Sequence, residues 1–192
     1  MDLLTRRRRR GVFFAIASLM LLAACQPGGN LPPLPPLGNA AYTLGPGDQV
    51  RIITFGEQTL TGQFAVEDSG KIAIPLLGPT MAAGLTTNQF ADTVAEQLRK
   101  KNIIRDPSVS VGIVSYRPIF VIGEVNKPGE YQFRPGMTVL TAVALAGGFT
   151  YRAIEDTASV VRTLDGKPLE GRADRATPLR PGDVVTIFER VF

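Results

Sequence analysis

The 192-residue chain reads as α+β, two small mixed domains that each combine a small sheet with one helix. Three observations carry that reading. Short runs of alternating apolar residues, such as Val50 and Ile52 or Val109, Val111 and Ile113, have the two-residue period of half-buried strands. Pro-Gly, Asp-Gly and Asp-Ser-Gly turns separate these runs. Helical spacing with a capping signal appears in only two places, near 86–101 and 138–146. Many strands with sparse helices point to α+β packing, not to a regular strand-helix alternation.

In chain order, the amino terminus comes first. Five consecutive arginines at 6–10 precede an uncharged apolar stretch over 11–24. This is the layout of a secretory signal, whose apolar segment is shorter than the roughly 20 residues that span a bilayer. Leu22-Ala23-Ala24 then leads small residues into Cys25, the only cysteine, as in a lipobox. The expectation is a signal peptide over 1–24, a lipidated Cys25 as first mature residue and, with Gln26 behind it, delivery to the outer membrane. The lipid would hold the chain on the periplasmic face. A single cysteine leaves no disulfide within the mature chain, even in an oxidising periplasm. Processing also changes the charge. The whole chain carries +4, but five arginines and one aspartate fall within 1–24, so the remainder balances at zero. The basic footprint of a nucleic-acid binder is therefore absent, and no nucleic-acid partner is expected.

Residues 25–41 read as the lipidated cysteine and a Pro-rich linker. Two Pro-Pro pairs and no charge favour extended polyproline II, a semi-rigid spacer. The first folded unit is placed at 42–115. Pro46-Gly47 makes a turn into the strand of Val50 and Ile52, with proline and glycine suited to its second and third positions. Phe64-Ala65-Val66 and Lys71-Ile72-Ala73-Ile74-Pro75 read as a hairpin across Asp68-Ser69-Gly70, with Gly78-Pro79 closing the next connection. Thr86 and Gln89 have capping-box spacing, and Phe90, Val94 and Leu98 line one helical face. Asp106-Pro107 ends this stretch before the strand of Val109, Val111 and Ile113.

The second unit is placed at 116–192. Ile119-Phe120-Val121-Ile122-Gly123 and Glu130-Tyr131-Gln132-Phe133 read as a hairpin around Pro128-Gly129. Thr138 caps a short apolar helix that Gly147-Gly148 ends. Further strands are read around Val160-Val161 and Val184-Val185, with Asp165-Gly166 as a turn. One cassette repeats: Pro46-Gly47-Asp48 and Pro181-Gly182-Asp183 each lead into a strand. Their surroundings do not match, so the echo signals shared local geometry, with each aspartate bonding backbone amides of its turn.

These motifs carry a family resemblance. Tyr42-Thr43-Leu44-Gly45-Pro46-Gly47-Asp48-Gln49-Val50, then Gly70-Lys71-Ile72-Ala73-Ile74-Pro75-Leu76-Leu77-Gly78 and the helix, resemble the polysaccharide export domain. Val121-Ile122-Gly123-Glu124-Val125-Asn126-Lys127-Pro128-Gly129, with Ala144-Leu145-Ala146-Gly147-Gly148, is similar to the soluble-ligand-binding β-grasp (SLBB) module. The chain is identified as resembling a short outer-membrane polysaccharide export protein. The resemblance implies a homo-oligomeric ring through which capsular polysaccharide or exopolysaccharide passes. It implies coupling to an inner-membrane polysaccharide co-polymerase that regulates chain length. Longer relatives carry a further module and a carboxyl-terminal amphipathic helix; here the sequence runs out after a strand, so a separate outer-membrane β-barrel partner is expected. The contrasting reading is a monomeric periplasmic glycan-binding module.

Enzymatic chemistry finds little foothold. The chain has no histidine, which excludes Ser-His-Asp and Cys-His nucleophiles and histidine-held metals. Of the carboxylates, Glu67-Asp68 and Glu155-Asp156 are neighbours near turns, and Asp48, Glu57 and Glu124 lack the spacing of a glycosidase pair. No cofactor, metal or catalytic residue is expected. Tyr116, Arg117, Tyr151 and Arg152 are the candidate polysaccharide contacts, offering aromatic faces and guanidinium donors, with structural roles as the competing reading.

Overall fold

The computed structural model describes residues 28–38, 41–164 and 166–190. The signal segment, Cys25 and Asp165 lie outside the described residues. The architecture is α+β, with two separate hydrophobic cores.

The first core is built around strand β1, Gln49–Thr54, whose exposure alternates so that Val50, Ile52 and Thr54 point inward. It is flanked on both sides by antiparallel partners, β2 (Gly62–Ala65) and β5 (Val109–Ser115). Val50 lies opposite Phe64, and Ile52 opposite Val111. A separate ribbon pairs β3 (Lys71–Ile74) with β4 (Gly78–Met81). Helix α1, Thr87–Lys100, buries Phe90, Ala91, Val94 and Leu98. Burying a side chain the size of Phe90, fully inaccessible here, is worth about 1.5–3 kcal/mol. The capping box forms as expected: Gln89 N donates to Thr86 Oγ1 at 3.3 Å and Thr86 N to Gln89 Oε1 at 2.9 Å.

One pairing differs from the sequence expectation. The turn at Asp68-Ser69-Gly70 forms, with Gly70 N donating to Glu67 O at 2.8 Å, but β2 and β3 separate beyond it. Strand β2 instead satisfies the exposed edge of β1, where unpaired backbone groups would face burial. Strand β3 then folds onto 78–81, which is a strand and not a connection, through a tight turn with Leu76 at φ 64° and Gly78 at φ 81°.

The second core lies under a five-stranded sheet of order β7-β6-β10-β8-β9, formed by β6 (Ile119–Gly123), β7 (Gly129–Tyr131), β8 (Ala153–Leu164), β9 (Lys167–Ala173) and β10 (Val184–Glu189). Strands β6 and β10 are parallel; the remaining pairs are antiparallel. Helix α2, Val139–Leu145, packs Val139, Ala142 and Val143 into this core, capped by Thr138. Strand β9, rich in charge and holding Pro168 and Gly171, has the composition of an edge strand and no alternation to announce it.

The Pro-rich segment departs from the free spacer expected for it. Leu34 N donates to Arg172 O at 2.9 Å and Arg172 N to Pro32 O at 2.7 Å, so residues 32–34 lie parallel along β9. Pro33 sits at the position whose missing N–H faces away from the sheet, which is where an edge tolerates proline. Leu34 is buried in the second core, against Gly171; a β-carbon on Gly171 would come within 2.7 Å of the Leu34 backbone. The chain thus touches the second domain, builds the first, and returns.

Candidate functional site

The repeated Pro-Gly-Asp cassettes meet where the two domains join. In each, a turn closes by an aspartate N–H donating three residues back, Asp48 to Gly45 O and Asp183 to Arg180 O, both at 3.1 Å. Gly47 and Gly182 take the positive φ of the third turn position, 89° and 86°. Each carboxylate then accepts from the N–H of the turn's first residue: Gly45 N at 2.8 Å and Arg180 N at 2.7 Å. Both aspartates are buried, at 0% and 1% exposure, and a buried carboxylate requires partners.

The partners come from different places. Asp183 receives Arg162 of β8 as a two-pronged pair, Nε to Oδ1 at 3.0 Å and Nη2 to Oδ2 at 2.6 Å. Arg162 Nη2 also donates to Pro178 O at 3.1 Å. Asp48 receives the backbone N–H of Arg117 at 2.8 Å and the Tyr42 hydroxyl at 2.6 Å. The Arg117 guanidinium stands 3.6 Å from Asp48 and donates from Nε to Pro181 O at 3.1 Å, while its stem lies on Gly182. One arginine therefore joins the first turn to the second. Gly45 keeps the space open, because a β-carbon there would collide with Arg117 Nη1.

Aromatic rings extend the joint. Tyr42 meets Tyr116 edge-on at 5.1 Å and Tyr116 meets Phe133 at 5.5 Å, a chain of rings from one core to the other. Arg117 lies over the Tyr42 ring at 5.8 Å, within cation–π range. Burial, and next the hydrogen bond to the Asp48 carboxylate, push the Tyr42 hydroxyl well above its ordinary pKa, so it stays a donor. Beside this joint opens a cleft of about 270 Å³ lined by Tyr42, Thr43, Arg117, Arg162 and Arg180, with Leu37 of the Pro-rich segment at its edge.

The four candidate contact residues do not form one site. Tyr116 and Arg117 are engaged in the joint. Tyr151 and Arg152 lie at the opposite end of the five-stranded sheet, where Arg152 pairs with Glu189 and Tyr151 is 88% exposed. The adjacent acidic pairs are surface groups: Glu155 and Asp156 face Arg175, at 4.0 and 3.1 Å. Glu124 accepts from Thr150 Oγ1. Among the described residues no three acidic or cysteine side chains gather to hold a metal, and no helix is long and apolar enough to cross a membrane. What sequence reasoning missed was the arginine partners. A signal was present: Arg162 has the same strand parity as Ala158 and Val160, so it points into the core and demands an anion.

Each of the two α+β units locked at this polar joint coincides with a known family domain. The profile for polysaccharide biosynthesis/export proteins matches residues 38–114 and that for the SLBB domain residues 118–173. The chain belongs to the polysaccharide biosynthesis/export family, with an SLBB domain following the export domain. The joint residues Tyr116 and Arg117 fall between the two matches. The exopolysaccharide production protein ExoF of Rhizobium meliloti is 37% identical over 118 residues, 56% of this chain and 28% of that relative. The EPS I polysaccharide export outer membrane protein EpsA of Ralstonia nicotianae is 28% identical over 156 residues, 75% of this chain and 40% of its own length. The polysialic acid transport protein KpsD of Escherichia coli is 29% identical over 112 residues, 57% of this chain and 20% of its length. The matched region thus spans less than half of each of these curated relatives.

Proposed function

We propose that this chain is a lipoprotein of the outer membrane's periplasmic face, lipidated at Cys25, that assembles as a homo-oligomeric ring in a capsular polysaccharide or exopolysaccharide export machine. It works with an inner-membrane co-polymerase, and a separate outer-membrane β-barrel completes the path. Its role is conduction and not catalysis.

The observation that carries this reading is the joint. An export domain is followed directly by an SLBB domain, and Arg117 fixes them to each other through both Pro-Gly-Asp turns. A ring of two-domain subunits closes only if each subunit presents its surfaces at a constant angle. The relatives' names, which speak of polysaccharide production, export and transport, support the cargo class. Tyr151 and Arg152, exposed and away from the joint, remain the proposed polysaccharide contacts, while Tyr116 and Arg117 serve it indirectly by setting the domain angle.

Native mass measurement of the detergent-extracted lipoprotein tests the proposal. Closed oligomers of one defined subunit number are expected. A monomer at every concentration would favour the glycan-binding module instead.

A further inference from the structure

The second domain's sheet has two unlike faces. The face toward α2 is fully packed: Ile119, Val121, Val160, Val185 and Ile187 are all 2% exposed or less. The other face is mixed, with an open apolar patch on its β6 side. Phe120 and Ile122 of β6 are 41% and 44% exposed, and beside them across the register stand Val184 and Thr186 of β10, with Val161 beyond Val184. Phe188 continues this row, since it shares the parity of Val184 and Thr186. Three adjacent strands therefore present a patch of Phe, Ile and Val side chains outward, bordered by Glu130 of β7 on one side and by the Ser159–Glu170 hydrogen bond between β8 and β9 on the other.

One described segment touches this face. Gly28 lies against the Phe188 ring, close enough that a β-carbon would sit 2.5 Å from it, and the turn of 28–31 then leads to the strip bonded along β9. Cys25 is three residues from Gly28, and three residues reach at most about 10 Å. The sixteen-residue tether suggested by the sequence is thus reduced to the few residues before the fastening. Whatever holds Cys25 must lie beside the Phe188 end of the open face.

We propose that this open patch of the SLBB sheet, centred on Phe120 and Ile122 and bordered by Phe188, rests on the phospholipid surface into which the Cys25 lipid inserts. This rests on the lipidation in the proposed function and adds to it a bilayer-contacting surface and an orientation. A short lipid tether raises the local concentration of bilayer at the face, so modest apolar area suffices for stable contact. Aromatic and branched aliphatic side chains suit the headgroup boundary. The export domain joins the sheet at the end opposite Phe188, and Phe55, 85% exposed and beyond the end of β1 far from the joint, marks surface outside the contact.

The chain contains no tryptophan, so a single introduced one reports its own surroundings. Full-length lipidated Phe120→Trp, Ile122→Trp and Phe55→Trp proteins are placed in phosphatidylethanolamine/phosphatidylglycerol vesicles, with or without brominated acyl chains. Lipid on Cys25 is read separately by intact mass. The expected result is strong loss of emission with brominated lipid for Phe120→Trp and Ile122→Trp, and none for Phe55→Trp. Having two reporters on one strand guards against either variant misfolding. A lipidated protein whose Phe55→Trp form alone is quenched, or in which none is quenched, overturns the orientation and leaves the lipoprotein reading standing. Emission from Phe120→Trp that blue-shifts with protein concentration in the absence of vesicles assigns the face to a second copy and also overturns it. A mass without lipid removes the anchor itself, and both readings fall together.

Discussion

The two Pro-Gly-Asp turns share sequence, turn geometry and a buried aspartate, yet they do different work. Asp183 is answered from inside its own sheet by Arg162, whose side chain is only 3% exposed. Asp48 is answered across a domain boundary by Arg117, whose side chain is 29% exposed, with help from Tyr42. The same local device thus stabilises one fold in the second domain and couples two folds at the first. The difference lies in where the third partner comes from, which no feature of the turn itself dictates.

Breaking the interior pair should cost most. Asp183→Ala leaves Arg162 buried without its anion, and uncompensated buried charges typically cost about 3–5 kcal/mol. Chemical denaturation should show the second domain losing that stability, and replacing both residues with apolar ones of similar size should recover much of it. If Asp183→Ala were nearly neutral, the buried pair would not hold the sheet as described.

Asp48→Ala should cost less in stability, on the order of 2 kcal/mol, because the freed Arg117 can turn to water while the charged acceptor of the Gly45 and Arg117 N–H groups and of the Tyr42 hydroxyl is lost. Its signature should be qualitative. Calorimetry of the wild type is expected to show one coupled transition, and of Asp48→Ala two, as the domains cease to unfold together. A single transition retained in the variant would place the coupling elsewhere.

Tyr42→Phe sharpens the comparison at about 1 kcal/mol, the net worth of one buried hydrogen bond. The pH dependence has a definite sign. The Tyr42 pKa is raised from its ordinary 10.0 in the folded protein, so its contribution is complete below about pH 10 and is lost as pH climbs above it. Wild-type stability should fall on the alkaline side more steeply than that of Tyr42→Phe. Smallest of all, Arg175→Ala removes a half-exposed bridge to Glu155 and Asp156 and should change thermal stability by less than about 1 kcal/mol.

What could be read beforehand followed the reach of the signal. The cap at Thr86 and Gln89, the apolar stripe of Phe90, Val94 and Leu98, and the Thr138 start of the second helix are local, and all stand where expected. Pairing was less legible. The hairpin expected across 64–75 yields to β1, because strand partners are chosen by which edge would otherwise be buried unpaired. The strip at 32–34 looked like spacer since its affinity for β9 rests on two backbone bonds and one leucine over Gly171. Each turn's own sequence predicts backbone amides for its aspartate, and these bonds form, but the arginines lie 21 and 69 residues away in sequence, beyond any local pattern. The four candidate contacts divide for the same reason: sequence places tyrosine beside arginine twice, and only the fold shows that one pair sits in the joint.

Cells that make a surface polysaccharide through this protein would reveal its role when the chain is removed and restored. Deletion of the chain should abolish surface polysaccharide, wild type should restore it, and Cys25→Ser and Asp48→Ala should restore it only weakly, the first for want of an anchor and the second for want of a fixed domain angle. Undiminished surface polysaccharide in the deletion strain would contradict the export role.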